Sequence, residues 1–314
     1  MVPILVDEIP KDSNWIFEAK YDGFRCLLYI LEDRVELLSR NLKNLSESFP
    51  EIIYEITKKK TALSQFLPLV LDGEIVILES QYRASFEKIQ LRGRTTTKSK
   101  ISALAKDFPA NFIVFDILHV RGASIMKAPL LERKVSLSDV FKSMKIHKIN
   151  NQEHSPVSLI NFFENSDEIW TNIVTENGEG IVAKRKNSTW SEGTRTLNWL
   201  KIKNWKKANF FIISLEKQNG YFHVGLLKEG EIFHAGLFSH GIKDEERQAL
   251  NQIIKSNAVK EDSQFIYIDP SICVELLFID WYKNEIRQPR FSEFRLDINW
   301  EACTWEKARK YSMK

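Results

Sequence analysis

One short segment of the chain brings a lysine, a carboxylate and a glycine within four residues: Lys20-Tyr21-Asp22-Gly23. Arg25 follows two residues later, and apolar runs on both sides predict two strands joined by a tight turn. A lysine at a strand end is a candidate nucleophile, because burial or neighbouring cations readily shift the pKa of its amine. Taken alone, the segment is more typical of a hairpin turn with a solvated lysine.

Five further segments in strand-like surroundings carry polar or aromatic residues, and residues at alternate strand positions share one face. If those faces meet, two carboxylates, an aromatic ring and several cations converge on the lysine. Such a pocket suits a nucleotide, since a purine stacks on the ring, cations hold the phosphates and carboxylates hold a magnesium ion. In chain order, the segments are Ser39-Arg40-Asn41, Asp72-Gly73-Glu74, Phe112 to Asp116, Glu179 to Lys184 and Trp199 to Lys203.

Together with Lys20 to Gly23, these segments resemble, in order, the motifs of the ATP-dependent DNA ligases, which belong to the covalent nucleotidyltransferase superfamily. Within that family the chain most resembles the ligase module of the bacterial ligase D proteins, which act in non-homologous end joining. The resemblance runs from about Trp15 to Asp297, and the ordered set of motifs is far more specific than any single one. Motif VI, the last of the set, is matched by Arg287-Gln288-Pro289-Arg290-Phe291, Arg295 and Asp297.

The resemblance implies an enzyme that joins DNA breaks in three steps. Lys20 attacks the α-phosphate of ATP, which gives a lysyl-adenylate and pyrophosphate. The adenylate passes to the 5′-phosphate at the break, and the 3′-hydroxyl then displaces AMP. All three steps are in-line displacements at phosphorus, so the protein mainly positions groups and neutralises charge. We therefore expect ATP and Mg²⁺ (with Mn²⁺ as an alternative) and a role in DNA repair and recombination.

Three lysines form the predicted catalytic set: Lys20, Lys201 and Lys203. Lys201 and Lys203 share a strand face, and two cations near Lys20 are expected to lower its pKa and to hold the α-phosphate. The resemblance implies nucleotide-binding roles for ten more residues, two of which, Glu74 and Glu179, are also the predicted metal ligands. The ten residues are Glu18, Asp22, Arg25, Arg40, Glu74, Phe115, Glu179, Lys184, Arg290 and Arg295.

Particular roles follow from the same resemblance. Phe115 is expected to stack on the adenine, although an aromatic residue in an apolar run is usually part of a core. Arg40 is expected to engage the 5′-phosphate of nicked DNA, while Asp22 and Arg25 orient the lysine and contact phosphate or ribose. Asp116 could cap a strand end and is left outside the site.

Motif VI departs from the family pattern at one position, because Asp297 is followed by Ile298 where a lysine is usual. In the family that lysine is thought to orient pyrophosphate, so its replacement predicts a weaker first step. In a second interpretation, Arg290 or Arg295 supplies the charge and Ile298 packs into the C-terminal domain. On the first interpretation, replacing Ile298 by lysine should speed the first step. On the second, the same change should destabilise the C-terminal domain and bring no gain in the first step.

Composition predicts folded domains but gives little sign of a nucleic-acid partner. The 314 residues are 43% hydrophobic, and no apolar run reaches the roughly 18 residues of a membrane helix. The net charge is only +3, from 45 basic and 42 acidic residues, so local basic clusters must indicate phosphate contact. There are three distant cysteines, of which two lie in strand-like apolar runs and are predicted to be buried thiols, and this fits a reducing cytoplasm. The bacterial nucleoid is the location that the resemblance to DNA ligases implies. The basic clusters are Arg92-Gly93-Arg94 with Lys98 and Lys100, Lys184-Arg185-Lys186, and Lys201, Lys203, Lys206 and Lys207.

The predicted fold class is α+β, with antiparallel sheets and packed helices, and not the regular alternation of a doubly wound sheet. A hinge at Asn204 to Asn209 separates a nucleotidyltransferase (ATP-grasp-like adenylation) domain, residues 1–203, from residues 204–314. In the latter, five strands and one helix predict an OB-fold β-barrel, which the resemblance also implies. A basic loop is expected up to Lys100. The predicted helices are Ser46 to Lys60, Ser85 to Leu91, Leu130 to Ser143, Leu159 to Thr175 and Asp244 to Lys255.

Two other kinds of function stay open. An RNA ligase or an mRNA-capping guanylyltransferase uses the same lysine chemistry, although Tyr21 and Trp199-Leu200-Lys201 resemble DNA ligases more. A non-catalytic DNA-end scaffold would keep the fold, but the intact lysines argue against it. The expected partner is nicked or broken double-stranded DNA, bound by a monomer, and Ku and a polymerase module are implied only by the ligase D resemblance. No large domain precedes Lys20, so we expect these two domains to hold the DNA, in a free-standing enzyme or as part of a longer ligase D.

Overall fold

Alternating apolar residues along the strands bury one face of each sheet, and helices pack against it. The computed structural model describes residues 1–150 and 155–310. The chain divides into two units, Met1–Asn204 and Trp205–Lys314, and each has a hydrophobic core of its own. Among the described residues, no helix is both long enough and apolar enough to cross a membrane.

The first unit contains two sheets, and the first of them brings Lys20 beside Glu179. Lys20 follows one strand, and Glu179 precedes the antiparallel neighbour of that strand. Two further strands of this sheet run parallel to each other. In spatial order the strands are β1 (Val2–Leu5), β11 (Arg195–Lys203), β10 (Gly180–Arg185), β2 (Trp15–Ala19) and β9 (Phe162–Phe163).

The second sheet supplies the opposite side of the same region. Its register places Arg25 directly opposite Glu74 on the neighbouring strand. In spatial order the strands are β4 (Val35–Ser39), β3 (Phe24–Ile30), β5 (Leu69–Val76), β6 (Asn111–Val120) and β7 (Ala123–Ser124), with β8 (Val157–Leu159) parallel to β6.

Helices cover the sheets of the first unit, and α1 buries Ile52, Ile56 and Leu63 in the core. This helix begins at Pro50 and not at Ser46, because proline suits the first helical turn and disfavours helical geometry in the residue before it. Ser46 instead accepts a hydrogen bond from the Leu37 backbone. The helices in this unit are α1 (Pro50–Leu63), α2 (Phe86–Arg94), α3 (Lys98–Asp107), α4 (Leu130–Met144) and α5 (Ser166–Thr175), with a 3₁₀ turn at Ser64–Phe66.

Two predictions of local structure are wrong in this unit. The predicted helix from Leu159 is helical only from Ser166, where the Asn165 side chain caps the helix by accepting from the Asp167 backbone. The predicted basic loop up to Lys100 is wrong at its end, because helix α3 already begins at Lys98. This lysine-rich helix buries only Ile101, so its sequence shows little of the apolar periodicity that predicts a helix.

The second unit is built around β12 (Lys206–Glu216), which is long enough to pair with three other strands. The predicted hinge is wrong from Lys206 onward, because that residue already begins this strand. One of the five strands that the sequence predicts for this unit, from Ile286 to Leu296, is interrupted at Gln288, whose φ of 52° breaks the extended backbone. The remaining elements are β13 (Phe222–Lys228), β14 (Glu231–Phe238), α6 (Asp244–Ser256), β15 (Ala258–Glu261), β16 (Phe265–Ile268), β17 (Cys273–Phe278), β18 (Trp281–Tyr282), β19 (Glu285–Ile286), β20 (Arg290–Phe294), a 3₁₀ turn at Trp300–Ala302 and α7 (Trp305–Arg309).

Candidate active site

A cavity of about 430 Å³ lies in the first unit, between residues of both sheets. Three predicted site residues lie outside the lining: Asp22, Glu179 and Lys203. The first two raise the pKa of Lys20, and the charge of Lys20 contributes to the lowered pKa of Lys203. Arg290 and Arg295 belong to the second unit. The predicted site residues that line the cavity are Glu18, Lys20, Arg25, Arg40, Glu74, Phe115, Lys184 and Lys201.

The close approach of neighbouring backbones fixes Lys20 in this cavity. The Lys20 backbone donates a hydrogen bond to the Gly180 carbonyl at 2.9 Å, and its ammonium donates to Glu179 Oε2 at 2.8 Å. Gly180 has a φ of 147°, and a Cβ there would lie 2.1 Å from the Ile202 carbonyl oxygen. Only glycine therefore fits between β10 and β11 at this point, and it places Glu179 beside the lysine.

The prediction that neighbouring cations lower the pKa of Lys20 is wrong. Burial opposes the charged amine, but Glu179, Glu74 and Asp22 favour it and leave the pKa raised. The repulsion acts on the other lysines instead. Burial, with a contribution from Lys20, lowers the pKa of Lys203 to about 8.

Glu74 is the carboxylate whose pKa departs most clearly from the ordinary range. Burial raises its pKa to about 8 and outweighs the opposing effects of Lys20 and Arg25. At neutral pH this carboxyl group is therefore largely protonated in the folded protein, and a further cation beside it would favour its ionised form.

Replacing Glu74 by glutamine should remove a pH-dependent loss of stability. Between the ordinary pKa of 4.5 and about 8, the unfolded chain ionises Glu74 while the folded chain holds the proton, so rising pH destabilises the wild-type protein. The free energy of unfolding of Glu74→Gln, relative to the wild-type protein, should rise across this window by on the order of 2 kcal/mol. Urea unfolding at several pH values measures it, with Glu47→Gln at an exposed carboxylate as the control. A difference that stays constant from pH 5 to 8 would contradict the assignment.

Two aromatic rings form one wall of the cavity. The centroids of Phe115 and Trp199 lie 6.2 Å apart, with an interplanar angle of 79°. The Lys184 ammonium lies 4.3 Å from the Phe115 centroid and 4.0 Å from that of Trp199, so a cation contacts both rings. The sequence prediction included Phe115 and Lys184 but gave no role to Trp199.

Arg25 is oriented by a carboxylate that the sequence analysis did not select. Its guanidinium donates to Asp72 Oδ1 at 3.0 Å and to Oδ2 at 2.6 Å, and it also donates to the Met1 carbonyl. Asp72 is fully buried and accepts a further hydrogen bond from Trp190 Nε1 at 3.2 Å. Asp72 shares a strand with Glu74 two positions away, so the alternation that favoured Glu74 could also have indicated Asp72.

A second buried ion cluster lies beneath the aromatic wall. Glu18 accepts from Lys184 at 2.6 Å and from Lys134, and all three side chains are buried. Burial lowers the pKa of Lys184 to about 8, since the attraction of Glu18 does not fully offset it. Asp116 lies outside the cavity lining and pairs with Arg133.

Several of the predicted basic clusters contain buried lysines or arginines. Arg92 is buried, pairs with Glu51 and donates to the Phe108 carbonyl, so it is unsuited to phosphate contact. Lys206 is likewise buried, beside Asp280. The phosphate contact predicted at Lys206 is therefore wrong. For the cluster that contains Arg92 the sequence favours a solvated face and phosphate contact equally, and the buried Arg92 fits neither, because a basic run in the sequence does not show which of its members point inward.

In the second unit, Arg295 donates to both carboxylate oxygens of Asp297, at 2.8 and 2.7 Å, and to Asn209 Oδ1 at 3.1 Å. Ile298 is partly buried and packs against the hydrophobic core of this unit. This packing favours the interpretation in which Ile298 is a core residue.

Ile298→Lys should therefore destabilise the protein, by about 1–2 kcal/mol in the free energy of unfolding, because a charged amine replaces an apolar core contact. Ile298→Met is the matched control and should change stability little. Thermal unfolding of the two variants checks this, with the rate of covalent labelling by ATP measured alongside. Faster labelling at an unchanged melting temperature would instead support a missing pyrophosphate-orienting lysine.

Comparison with known proteins gives a consistent result. Residues 5–203 match the family described as "ATP dependent DNA ligase domain". The bifunctional non-homologous end joining protein LigD of Bacillus subtilis is 34% identical over 99% of this chain and 51% of its own length. A DNA ligase of Thermococcus fumicolans is 27% identical over 90% of this chain and 52% of its own length. This chain thus spans about half the length of each of these two relatives.

The solved ligase domain of LigD from M. tuberculosis has a TM-score of 0.53 and 21% identity, and the match covers 96% of this chain and 97% of that one. This likeness confirms the predicted α+β fold, a nucleotidyltransferase domain followed by an OB-fold. The resemblance to the ligase module of ligase D is likewise confirmed. Because the match to the family model covers Lys20, Glu179 and most of the residues that line the cavity, we conclude that the chain belongs to the ATP-dependent DNA ligase family.

Proposed function

We propose that the chain seals DNA breaks between a 5′-phosphate and a 3′-hydroxyl through a lysyl-AMP intermediate on Lys20. The observation that carries this proposal is the position of Lys20 in the wall of a nucleotide-sized cavity, together with an aromatic ring, carboxylates and further lysines. All of these groups lie within the residues that match the ligase family.

In the proposed first step, the Lys20 nitrogen forms a bond to the α-phosphorus of ATP. The bond from that phosphorus to the leaving pyrophosphate breaks, and the amine gives up a proton. Phe115 offers a face on which the adenine stacks. Burial, with a contribution from the charge of Lys20, lowers the pKa of Lys201 and of Lys203, so both lysines lie near Lys20 and can together hold the α-phosphate.

We also propose that Glu74 and Glu179 hold the magnesium ion together with phosphate oxygens of the nucleotide. Mg²⁺ commonly uses one or two carboxylates and substrate phosphates. This mode agrees with the described residues, which contain no group of three or more His, Cys, Asp or Glu side chains able to hold a metal. A magnesium ion held by these carboxylates would supply positive charge beside the leaving pyrophosphate. A carboxylate that binds a metal ion stabilises the charged form of Lys20 less than a free carboxylate does. The reactive, neutral amine of Lys20 therefore becomes easier to form.

Covalent labelling decides between this proposal and the other functions. The purified protein with magnesium should take up label from α-labelled ATP and not from α-labelled GTP, which a capping enzyme would use. It should then seal a nicked DNA duplex faster than a nicked RNA duplex, whereas an RNA ligase would show the reverse. A protein that takes label from neither ATP nor GTP would be a scaffold, and the proposal would fail in that case too.

We further propose a role in the repair of double-strand breaks by end joining. It rests on the relative at 34% identity, which is named a non-homologous end joining protein. Ku and a polymerase module are the partners that such a role implies, and the bacterial nucleoid in the cytoplasm is the corresponding location. Joining of linear DNA fragments with and without added Ku tests this role, because a ligase of nicks alone would gain nothing from Ku.

A further inference from the structure

A buried lysine on helix α4, Lys134, holds two parts of the cavity wall without lining the cavity itself. Its ammonium donates to Glu18 Oε1 and, at 2.6 Å, to the backbone carbonyl of Phe115. Glu18 is on β2, and Phe115 is on β6. One side chain thus connects a helix with both sheets at the point where each presents a residue to the cavity.

The charge balance of this cluster depends on Lys134. Glu18 presents one carboxylate oxygen to Lys134 and the other to Lys184. Without Lys134, the buried carboxylate would keep a single ammonium partner and would be free to turn toward it. The Phe115 carbonyl would also lose this donor, and a buried acceptor that loses its partner is costly.

We propose that Lys134 is a positioning residue that lets the cavity select adenine over guanine. The inference rests on the proposed function, in which the base stacks on Phe115. Stacking on an aromatic face accepts any purine, so discrimination has to come from polar groups held in a fixed orientation at the edge of the base. Glu18 and Lys184 are polar groups of this wall, and Lys134 fixes the first directly and the second through it.

The neighbouring residue, Arg133, offers a matched control on the same helix. It is also buried, and it pairs with a buried carboxylate, Asp116, with two hydrogen bonds of 2.8 Å. It donates in addition to the carbonyls of Ala128 and Ser188. Neither Arg133 nor Asp116 lines the cavity, so loss of Arg133 reports the cost of breaking a buried ion pair and its backbone hydrogen bonds away from the cavity lining.

The test measures nucleotide selectivity and stability in the full chain carrying Lys134→Met or Arg133→Met. The readout is the inhibition constant of GTP divided by the KM for ATP, in covalent self-labelling with ATP, together with the melting temperature. For Lys134→Met we expect this ratio to fall at least fivefold, with partial recovery in Lys134→Arg. For Arg133→Met we expect a lower melting temperature with the ratio within twofold of wild type.

A ratio that falls less than fivefold in folded Lys134→Met overturns the inference, whatever the melting temperature does. If Lys134→Met does not fold, Lys134→Gln takes its place, since the amide can still donate one hydrogen bond. Loss of folding in both variants would make Lys134 a structural residue only and would also overturn the inference. Failure of the proposed function is recognised separately, because the wild-type chain would then take no label from ATP.

Discussion

Lys20→Ala should abolish covalent labelling by ATP, a loss of about 10³-fold or more, because no other amine is held at the position of attack. The variant should still seal a nick whose 5′ end already carries AMP, since that step uses the phosphate-binding groups and not the amine. Lys20 is only partly buried at the cavity wall, so the fold should survive the change. Labelling, sealing of the pre-adenylylated nick and a melting curve on one preparation check all three expectations.

Lys20→Arg is the matched control for charge. Arginine keeps a cation beside Glu179 but stays protonated and cannot attack. It should therefore fail in labelling as Lys20→Ala does, while the ion pair with Glu179 persists. Label retained by either variant would show that a different residue carries the adenylate.

A fragment of residues 1–204 should bind ATP but form the lysyl-adenylate about 10²-fold more slowly than the full chain. The cavity and its core clusters lie entirely within these residues, so the fragment keeps the nucleotide site. It lacks Arg287, Arg290 and Arg295, which match the motif that is expected to help with pyrophosphate. Sealing of a nick should fall further, because the second unit is expected to contact the DNA as well.

Single-turnover labelling and equilibrium ATP binding on the same fragment separate these effects. Arg290→Ala in the full chain shows how much of the loss in labelling rate is due to the Arg290 side chain alone. Unchanged ATP affinity with slow labelling is the expected pattern for the fragment. Labelling at the rate of the full chain would mean that the second unit takes no part in the first step.

The sequence by itself determined the family and several of the charged and aromatic residues that line the cavity. Lys20, Glu74, Phe115 and Lys184 were predicted from short motifs, and all four line one cavity. Motifs succeed here because a strand fixes which alternate residues share a face, and because several strand ends must converge to handle one nucleotide.

Local structure was less predictable wherever the decisive interaction was a cap or a turn. Helix α1 begins four residues later than predicted, at Pro50, and α5 begins at Ser166 beside the Asn165 cap. Two short strands in different sheets, β8 and β9, lie where the predicted helix from Leu159 was expected to begin, because the apolar residues there fit the period of a helix and of a buried strand equally well.

Only the tertiary structure decided the electrostatics of the site. Burial opposes the charged form of Lys20, but three carboxylates outweigh it and raise the pKa, and that balance depends on distances that the sequence does not contain. The hydrogen bonds that fix the cavity wall also join residues far apart in the sequence. Lys134 lies 116 residues from its acceptor Glu18, and Trp190 lies 118 residues from its acceptor Asp72. Spacing within a motif shows which side chains share a face of a strand. It does not show which charged groups and hydrogen-bond partners other elements bring to that face, because folding alone places them there.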